Sequence, residues 1–431
     1  MTAQYIPGPR GRWFVGDVIN YERDRIGWLR ENRSRYGDVV RLGPRTIAVH
    51  DVAAAHRILA ATNDSFLIDA GFRGDAREQA ALQAHVEDWM RVRREVWRSV
   101  GDRVTHLHLT RFLNAMSGEV RRHAGRPIDV LSTARGILGR AIVDFCVGGA
   151  TPEAIRNELY ESADGLFQTA LHALVNGEGR VPWLPRPAAR AATVANGRLL
   201  AQLAGVVEQR TRAAAPGSPR DLLDALIADR QGPGPGRVVS ILRTIMFASH
   251  GVPGTAMAWV ALLLAAHPSV TDRIAEEAAG LRTDDPTSAR ALPYTTAVIR
   301  EVLRLYPPQW LLTRTTTRPT DILGHRVPAG CEILICPYLI HRDRRWWEEP
   351  ETFSPDRWLR PGQPHARHAY LPFGSGTRFC PGSHLAMVQL VAMTAVLARD
   401  YALDLPPVES IEASCAGLLA PARLPGRWTA A

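Results

Sequence analysis

Apolar residues recur along most of the chain at the three- and four-residue spacing of helices, with short alternating runs between them. Residues 1–20 predict an extended entry, because Pro7 and Pro9 block helix, and 23–36 an amphipathic helix. Apolar and polar positions alternate over 38–43 and 46–50 around Gly43 and Pro44, which predicts a hairpin. Helix returns over 53–62. Residues 63–78 form a polar, glycine-bearing loop whose apolar contacts are Phe66, Leu67 and Phe72, and 79–101 form the next helix. The helical pattern then holds from 110 to 230, with breaks at 125–127, 177–187 and 215–219. Residues 237–266 are apolar nearly all round, which marks a buried helix. Within it Pro253 removes an amide donor and clashes with the carbonyl of Ser249, so a kink is predicted, flanked by Gly251 and Gly254. Helices follow after Pro268 and over 294–306, short strands with turns over 309–314 and 321–335, and a long apolar helix over 383–399. The expected fold is mainly α with a minor β region, the β-rich lobe at 37–52 and 309–340, in one domain spanning 1–431 without repeats.

Composition narrows the class. A content of 46% hydrophobic residues over 431 positions supports a large buried core. The 52 basic residues are all arginine and outnumber 43 acids, for a formal charge of +9; such lysine-free usage resembles that of GC-rich bacterial genes. The arginines are scattered among tryptophans and apolar helix positions, which argues against nucleic acid and for an acidic protein partner. Five cysteines, at 146, 331, 336, 380 and 415, are odd in number and sparse, which argues against a disulfide scaffold and for a cytoplasmic setting. No run approaches the roughly 20 apolar residues of a membrane helix, and the first residues lack a signal-peptide apolar region. No membrane association is expected, and a monomer is.

The chemistry concentrates in FGSGTRFCPG, residues 373–382. Cys380 stands just before the 383–399 helix, whose positive end favours a thiolate over a thiol. Gly374, Gly376 and Gly382 suit positive φ or close approach to a flat ligand, and Arg378 offers a cation to an anionic group beside a metal. A thiolate, a cation and tight backbone approach describe a haem seat. Two other readings stand beside it: a small buried cysteine, or half of a zinc site with His384, for which no second pair lies at ligand spacing. In the 79–101 helix, Trp89, Arg93 and Trp97 share one face and Arg91, Arg94 and Arg98 another. Spacing alone permits either a ligand face with a partner face, or a core tryptophan pair beside solvated arginines. Glu301 and Arg304, three apart on a helix, are ordinarily a surface pair worth a few tenths of a kcal/mol.

The string Phe-x-x-Gly-x-Arg-x-Cys-x-Gly resembles the haem-binding signature of the cytochrome P450 family, and further motifs resemble that family in the same order along the chain. The resemblance implies the P450 fold, with haem between the long central helix and the Cys-loop helix. It makes Cys380 the axial ligand, seated by Phe373, Gly374 and Gly382. Trp89-x-x-x-Arg93 looks like the pair that binds a haem propionate, and Arg314 and Arg378 align with further propionate ligands. Glu301-x-x-Arg304, with Arg357 of the Pro355-Asp-Arg357 segment, resembles the structural triad that holds the fold around the pocket. The histidine of His341-Arg-Asp343 also matches a family motif and is not expected to touch iron. Phe66, Phe72, Phe167, Leu171, Trp183, Trp310, Leu311 and Leu312 fall where substrate contacts are expected.

One departure stands out. The family's distal Ala-Gly-x-(Asp/Glu)-Thr-Thr segment aligns with ASHGVP, residues 248–253, so Gly251 replaces the acid and Val252 the alcohol. Thr255 lies one turn beyond Val252, too far along to replace its hydroxyl directly, and His250 is expected to point away from the iron, so water held by the kink at Pro253 is the expected proton source. The family reading implies haem b and oxidation of an apolar small molecule with dioxygen and two electrons. Hydroxylation, epoxidation and coupling all fall within it, and bacterial natural-product biosynthesis is the expected setting. No flavin or dinucleotide fingerprint is present, so the electrons are expected from a ferredoxin and ferredoxin reductase. The rivals are a P450-type enzyme doing a non-hydroxylating reaction (C–C or C–O coupling, rearrangement, peroxide-driven oxidation) and a non-catalytic haem-binding protein.

Overall fold

The computed structural model describes residues 5–10, 17–68, 90, 93–94, 102–175, 186–213, 219–228, 233–281 and 292–431. The chain forms two compact units, one from Met1–Met90 with Leu303–Cys380 and one from Arg91–Val302 with Pro381–Ala431.

The first unit is built on a five-stranded sheet. The predicted hairpin is present as Val39–Gly43 against Thr46–Val49, with a bulge between Arg41 and Gly43. Thr46–Val49 runs parallel to Glu332–Ile335, which pairs antiparallel with Leu312–Thr316. The last strand, Phe66–Leu67, corrects the loop expected there: Phe66 faces Thr316 and Leu67 faces Thr315. Two residues are too few to show a period, and their partners lie far along the chain. Phe66 is buried in the sheet's core with Ile47, Ile333 and Trp347. The expected 23–36 helix is two helices, Val18–Arg23 and Arg25–Tyr36, and the first begins inside the segment expected to be extended. Asp24 divides them, because its carboxylate caps the second by accepting from the Gly27 amide at 2.9 Å.

The second unit is helical. Its helices include Asp102–His123, Val130–Val147, Glu153–Val175, Pro187–Arg212, Leu222–Ala228, Pro268–Glu277 and the Cys-loop helix Ser383–Asp400. A break at 148–152 that periodicity did not reveal is tied down by Arg210. This buried guanidinium bridges Asp221 at 3.0 Å and Asp224 at 2.6 Å, and donates to Thr151 Oγ1 at 2.9 Å and the Val147 carbonyl at 3.2 Å. The predicted central helix is present as two, Pro235–His250 and Val252–Ala266, with Gly251 between them. The interruption sits two residues beyond Ser249, because Pro253 is accommodated in the first turn of a new helix, where a missing amide costs little. Together they are long and apolar enough to cross a membrane, but 78% of the most apolar window is buried inside the protein. The β region extends past the lobe expected: Pro425–Ala430 pairs with Tyr401–Asp404 and, at its other end, with Ile128–Asp129.

Two buried histidines of the first unit set an acid limit on stability. His341 donates from Nδ1 to the Arg304 carbonyl at 2.9 Å and accepts the Leu371 amide at Nε2 at 2.8 Å, which requires the neutral ring. Burial pushes its pKa well below the usual value. His50, with neither ring nitrogen hydrogen-bonded among the described residues, is pushed down to about 4 by burial and then by Arg33, among flanking Asp38, Arg345 and Asp343. Both are protonated more readily in the unfolded chain, so stability rises with pH here and is lost as pH falls from about 6.5, by up to about 1.4 kcal/mol per pH unit for each. The urea midpoint is expected to drop between pH 6.5 and 5, less steeply in His50→Leu. A midpoint flat over that interval would contradict the neutral buried pair.

Candidate functional site

The cysteine loop is held mostly by its own backbone. Gly374 donates to the Leu371 carbonyl at 3.1 Å, Phe379 to Gly376 at 3.0 Å and Cys380 to Phe373 at 2.9 Å. Gly374 and Gly376 adopt φ of 72° and 67°, where a side chain is strained. Gly376 is doubly required, since a Cβ there would collide with the Leu59 carbonyl at the end of the Val52–Ala60 helix. Gly382 has an ordinary φ of −88°, which leaves close approach as the expectation at this position; it precedes the Cys-loop helix and its carbonyl accepts from Ala386. The rings of Phe373 and Phe379 meet edge to face at 6.4 Å. Cys380 is half-buried at the end of this framework. Burial pushes the Cys331 thiol up to about 12 and raises Cys146 strongly, so neither is suited to act as a thiolate.

Two of the expected cations belong to the same unit. Arg314, 5% exposed on Leu312–Thr316, donates from Nε to Thr62 Oγ1 at 2.7 Å and from Nη1 to the Thr313 carbonyl at 2.6 Å. Burial lowers its pKa to about 10, so it is still a cation at neutral pH. Its partners among the described residues are neutral oxygens. A buried charge balanced by dipoles alone is costly, and an anionic ligand would offset that cost. Arg378 donates from Nε and Nη2 to Asn63 Oδ1 at 2.9 and 2.7 Å. Spacing gave no hint of Thr62 and Asn63, which hold these arginines from more than 250 residues away in sequence. Arg93 is half-buried and Arg94 exposed, while Trp89, Arg91, Trp97 and Arg98 lie outside the described residues.

The expected structural residues are buried. Glu301 and Arg304 are inaccessible on the Pro293–Leu305 helix, in place of the surface pair that spacing alone suggests. Arg304 donates to the carbonyls of His341 (2.9 Å), Pro350 (2.5 Å) and Thr352 (3.0 Å). Arg357 donates to those of Glu348 (2.7 Å) and Glu349 (3.2 Å) and shares Thr352 at 3.4 Å. Of the residues expected at substrate, Trp310 is buried and Leu311, Leu312 and Leu171 are half-buried; Phe72 and Trp183 lie outside the described residues.

At the helix break, Phe167 packs against the position of the missing acid. A Cβ on Gly251 would collide with Phe167 Cζ, so a side chain here requires the ring to move. His250 is fully buried beside that ring, and its Nε2 lies 2.9 Å from Asp164 Oδ1. That hydrogen bond is the main cause holding the Asp164 carboxyl below its usual pKa. Thr255 Oγ1 donates to the Gly251 carbonyl at 2.8 Å and accepts from Arg135 at 3.0 and 3.2 Å. Arg135 in turn lies 5.8 Å over the Phe167 ring. Val252 is half-buried and Pro253 buried. Gly251→Ala is expected to cost about 1–3 kcal/mol by overpacking. Combined with Phe167→Ala it should cost less than the two measured separately, a coupling readable from urea midpoints. Strict additivity would show that the ring does not exclude a side chain at 251.

The architecture is that of P450 haem domains. A retinoic acid-bound cyanobacterial CYP120A1 matches with a TM-score of 0.80 at 19% identity, over 100% of both chains. The cytochrome P450DA heme domain matches with 0.82 at 17%, over 100% of this chain and 98% of that one. The Cytochrome P450 family model matches residues 6–424, and the chain belongs to this family, whose members carry a haem-thiolate cofactor. Pentalenene oxygenase of Streptomyces avermitilis is 29% identical over 420 residues, 92% of this chain and 91% of that protein. Cyclooctat-9-en-7-ol 5-monooxygenase of Streptomyces melanosporofaciens is 32% identical over 292 residues, 65% of this chain and 62% of its own length. With cytochrome P450 132 of Mycobacterium tuberculosis the identity is 34% over 205 residues, 47% of this chain and 44% of that one, so the match spans less than half of the relative.

Proposed function

We propose that the chain is a haem-thiolate monooxygenase, acting as one catalytic domain, in which Cys380 ligates haem b and Trp89, Arg93, Arg314 and Arg378 receive its propionates. The observation that carries this reading is the half-buried Cys380, set within the matched residues on a loop with two left-handed glycines. The donor set suits the cofactor: a soft sulfur for iron and, in Arg314, a buried cation whose partners among the described residues are neutral. When bound, a cysteine-ligated haem supplies dioxygen activation with two electrons.

The chain's own part is binding, orientation and proton supply. Gly251 and Val252 hold no titratable proton, and the Thr255 hydroxyl proton is engaged by the Gly251 carbonyl. The His250 nitrogen Nε2 is engaged with Asp164. Water at the break between the Pro235–His250 and Val252–Ala266 helices is therefore the favoured proton source, completed by a polar group on the substrate. The two Streptomyces relatives, by their names, favour a terpene-like apolar substrate and a role in natural-product biosynthesis. A ferredoxin with its reductase is the favoured electron donor, and exposed Arg94 a candidate contact for it. A cytoplasmic monomer fits this role. The absent acid–alcohol pair favours, as a second reading, coupling, rearrangement or peroxide-driven oxidation.

Incubation of the reconstituted enzyme with a panel of cyclic terpene hydrocarbons, ferredoxin, its reductase and labelled dioxygen tests this. Label in the product supports the monooxygenase. Conversion without label, or with peroxide alone, supports the second reading. A purified protein that takes up no haem sinks both.

A further inference from the structure

We infer that Thr62 and Asn63 are positioning residues that aim the two cations of the cysteine-loop side, Arg314 and Arg378, at the carboxylates of the cofactor. The inference rests on the reading that these arginines meet the propionates.

The two residues follow the Val52–Ala60 helix directly and gather three long-range contacts into one turn. Thr62 is 2% exposed; its hydroxyl donates to the Ile58 carbonyl at 3.3 Å, which leaves oxygen lone pairs to accept Arg314 Nε at 2.7 Å. Its carbonyl accepts from Thr377 Oγ1, on the cysteine loop itself, at 2.9 Å. Asn63 sits at φ 79°, a conformation that asparagine tolerates better than most residues, and its amide donates to the Phe66 carbonyl at 2.7 Å. That turn presents Oδ1 to the Nε and Nη2 edge of Arg378, which fixes the rotation of the planar fork. A strand arginine and a loop arginine, 64 residues apart (378 − 314), are thus referred to adjacent positions.

The chemistry of the acceptors distinguishes positioning from stabilisation. A carboxylate at 62 or 63 would hold a guanidinium more strongly, through a charge-assisted bond, but would cancel its charge. Hydroxyl and amide oxygens orient the cation without cancelling its charge. Asparagine and aspartate are nearly isosteric and both tolerate the left-handed region, so Asn63→Asp changes the charge and little else.

The test compares purified holoprotein variants by haem transfer to excess apomyoglobin, by midpoint potential and by urea midpoint. Asn63→Asp is expected to keep the urea midpoint or raise it, to lose haem about tenfold faster, and to shift the potential to more negative values. Thr62→Val is expected to lose haem faster by a similar factor, with Thr62→Ser restoring the wild-type rate. Asp64→Asn, one residue on and exposed, should match wild type. Arg314→Gln and Arg378→Gln report on the underlying reading. If these lose haem no faster than wild type, the propionate assignment fails and the inference with it. If they do, yet Asn63→Asp and Thr62→Val retain haem as wild type does, the inference alone is overturned. A purely structural turn predicts that last result, because Asp would serve it at least as well.

Discussion

Cys380→Ala is expected to abolish the red-shifted Soret band of the reduced carbon monoxide complex and to reduce turnover to the background of free haem. The substitution removes the sulfur and little else. The loop is held by its backbone and by the Thr377 and Arg378 side chains, and the Cys380 amide that donates to Phe373 is retained in alanine. Loss of the band would therefore report loss of the ligand, and unchanged far-ultraviolet dichroism would separate this from unfolding. Cys331→Ser and Cys336→Ala should keep the band, since both cysteines are buried in the first unit. Persistence of the band in Cys380→Ala, or its loss in either control with the fold intact, would place the thiolate elsewhere.

Arg304→Leu is expected to prevent accumulation of folded protein at 37 °C. The buried guanidinium supplies donors to the carbonyls of His341, Pro350 and Thr352. Each buried acceptor left without a donor costs about 1–3 kcal/mol, against a total stability of about 5–15 kcal/mol for an ordinary domain. Thr352 keeps a weak contact to Arg357 at 3.4 Å, whereas no second donor to the Pro350 carbonyl occurs among the described residues. Arg304→Lys should be intermediate, because an ammonium retains the charge without the planar fork that spans separate carbonyls. Thermal melting of cell-free-expressed protein checks this, and a wild-type midpoint in the leucine variant would rule the account out.

Most of the helical frame was legible because its elements bury one face or their whole surface, and both leave a period in the sequence. The hairpin over 39–49 was legible for the same reason. Phe66–Leu67 was not, since a two-residue strand exists only through its pairing with Thr315 and Thr316. The C-terminal strands escaped because Pro425–Ala430 carries one buried position, Trp428, among exposed and half-exposed ones. At the candidate site the residue types were readable from the cysteine loop and its order relative to Arg304, Arg314 and Arg357. What holds them was not: Thr62 and Asn63 read as loop, and the crowding at 251 depends on Phe167, which arrives from another helix. Trp89, on which the propionate reading of the 79–101 helix leans, lies outside the described residues.

The stretch from 341 to 371 has little regular structure, and arginines do there what a sheet or helix does elsewhere. Arg304 and Arg357 clamp five carbonyls between them, counting Thr352 once, and Arg342 donates to the Leu305 carbonyl. These carbonyl partners carry no net charge, and the Arg304 contacts to His341 and Pro350 are buried. Dissolved ions screen exposed charge pairs over a Debye length of about 8 Å at physiological ionic strength, but they have little purchase on a guanidinium bonded to buried peptide dipoles. In concentrated salt the surface pairs of this unit, such as Arg345 with Asp38, are expected to weaken before the buried carbonyl contacts of Arg304 do.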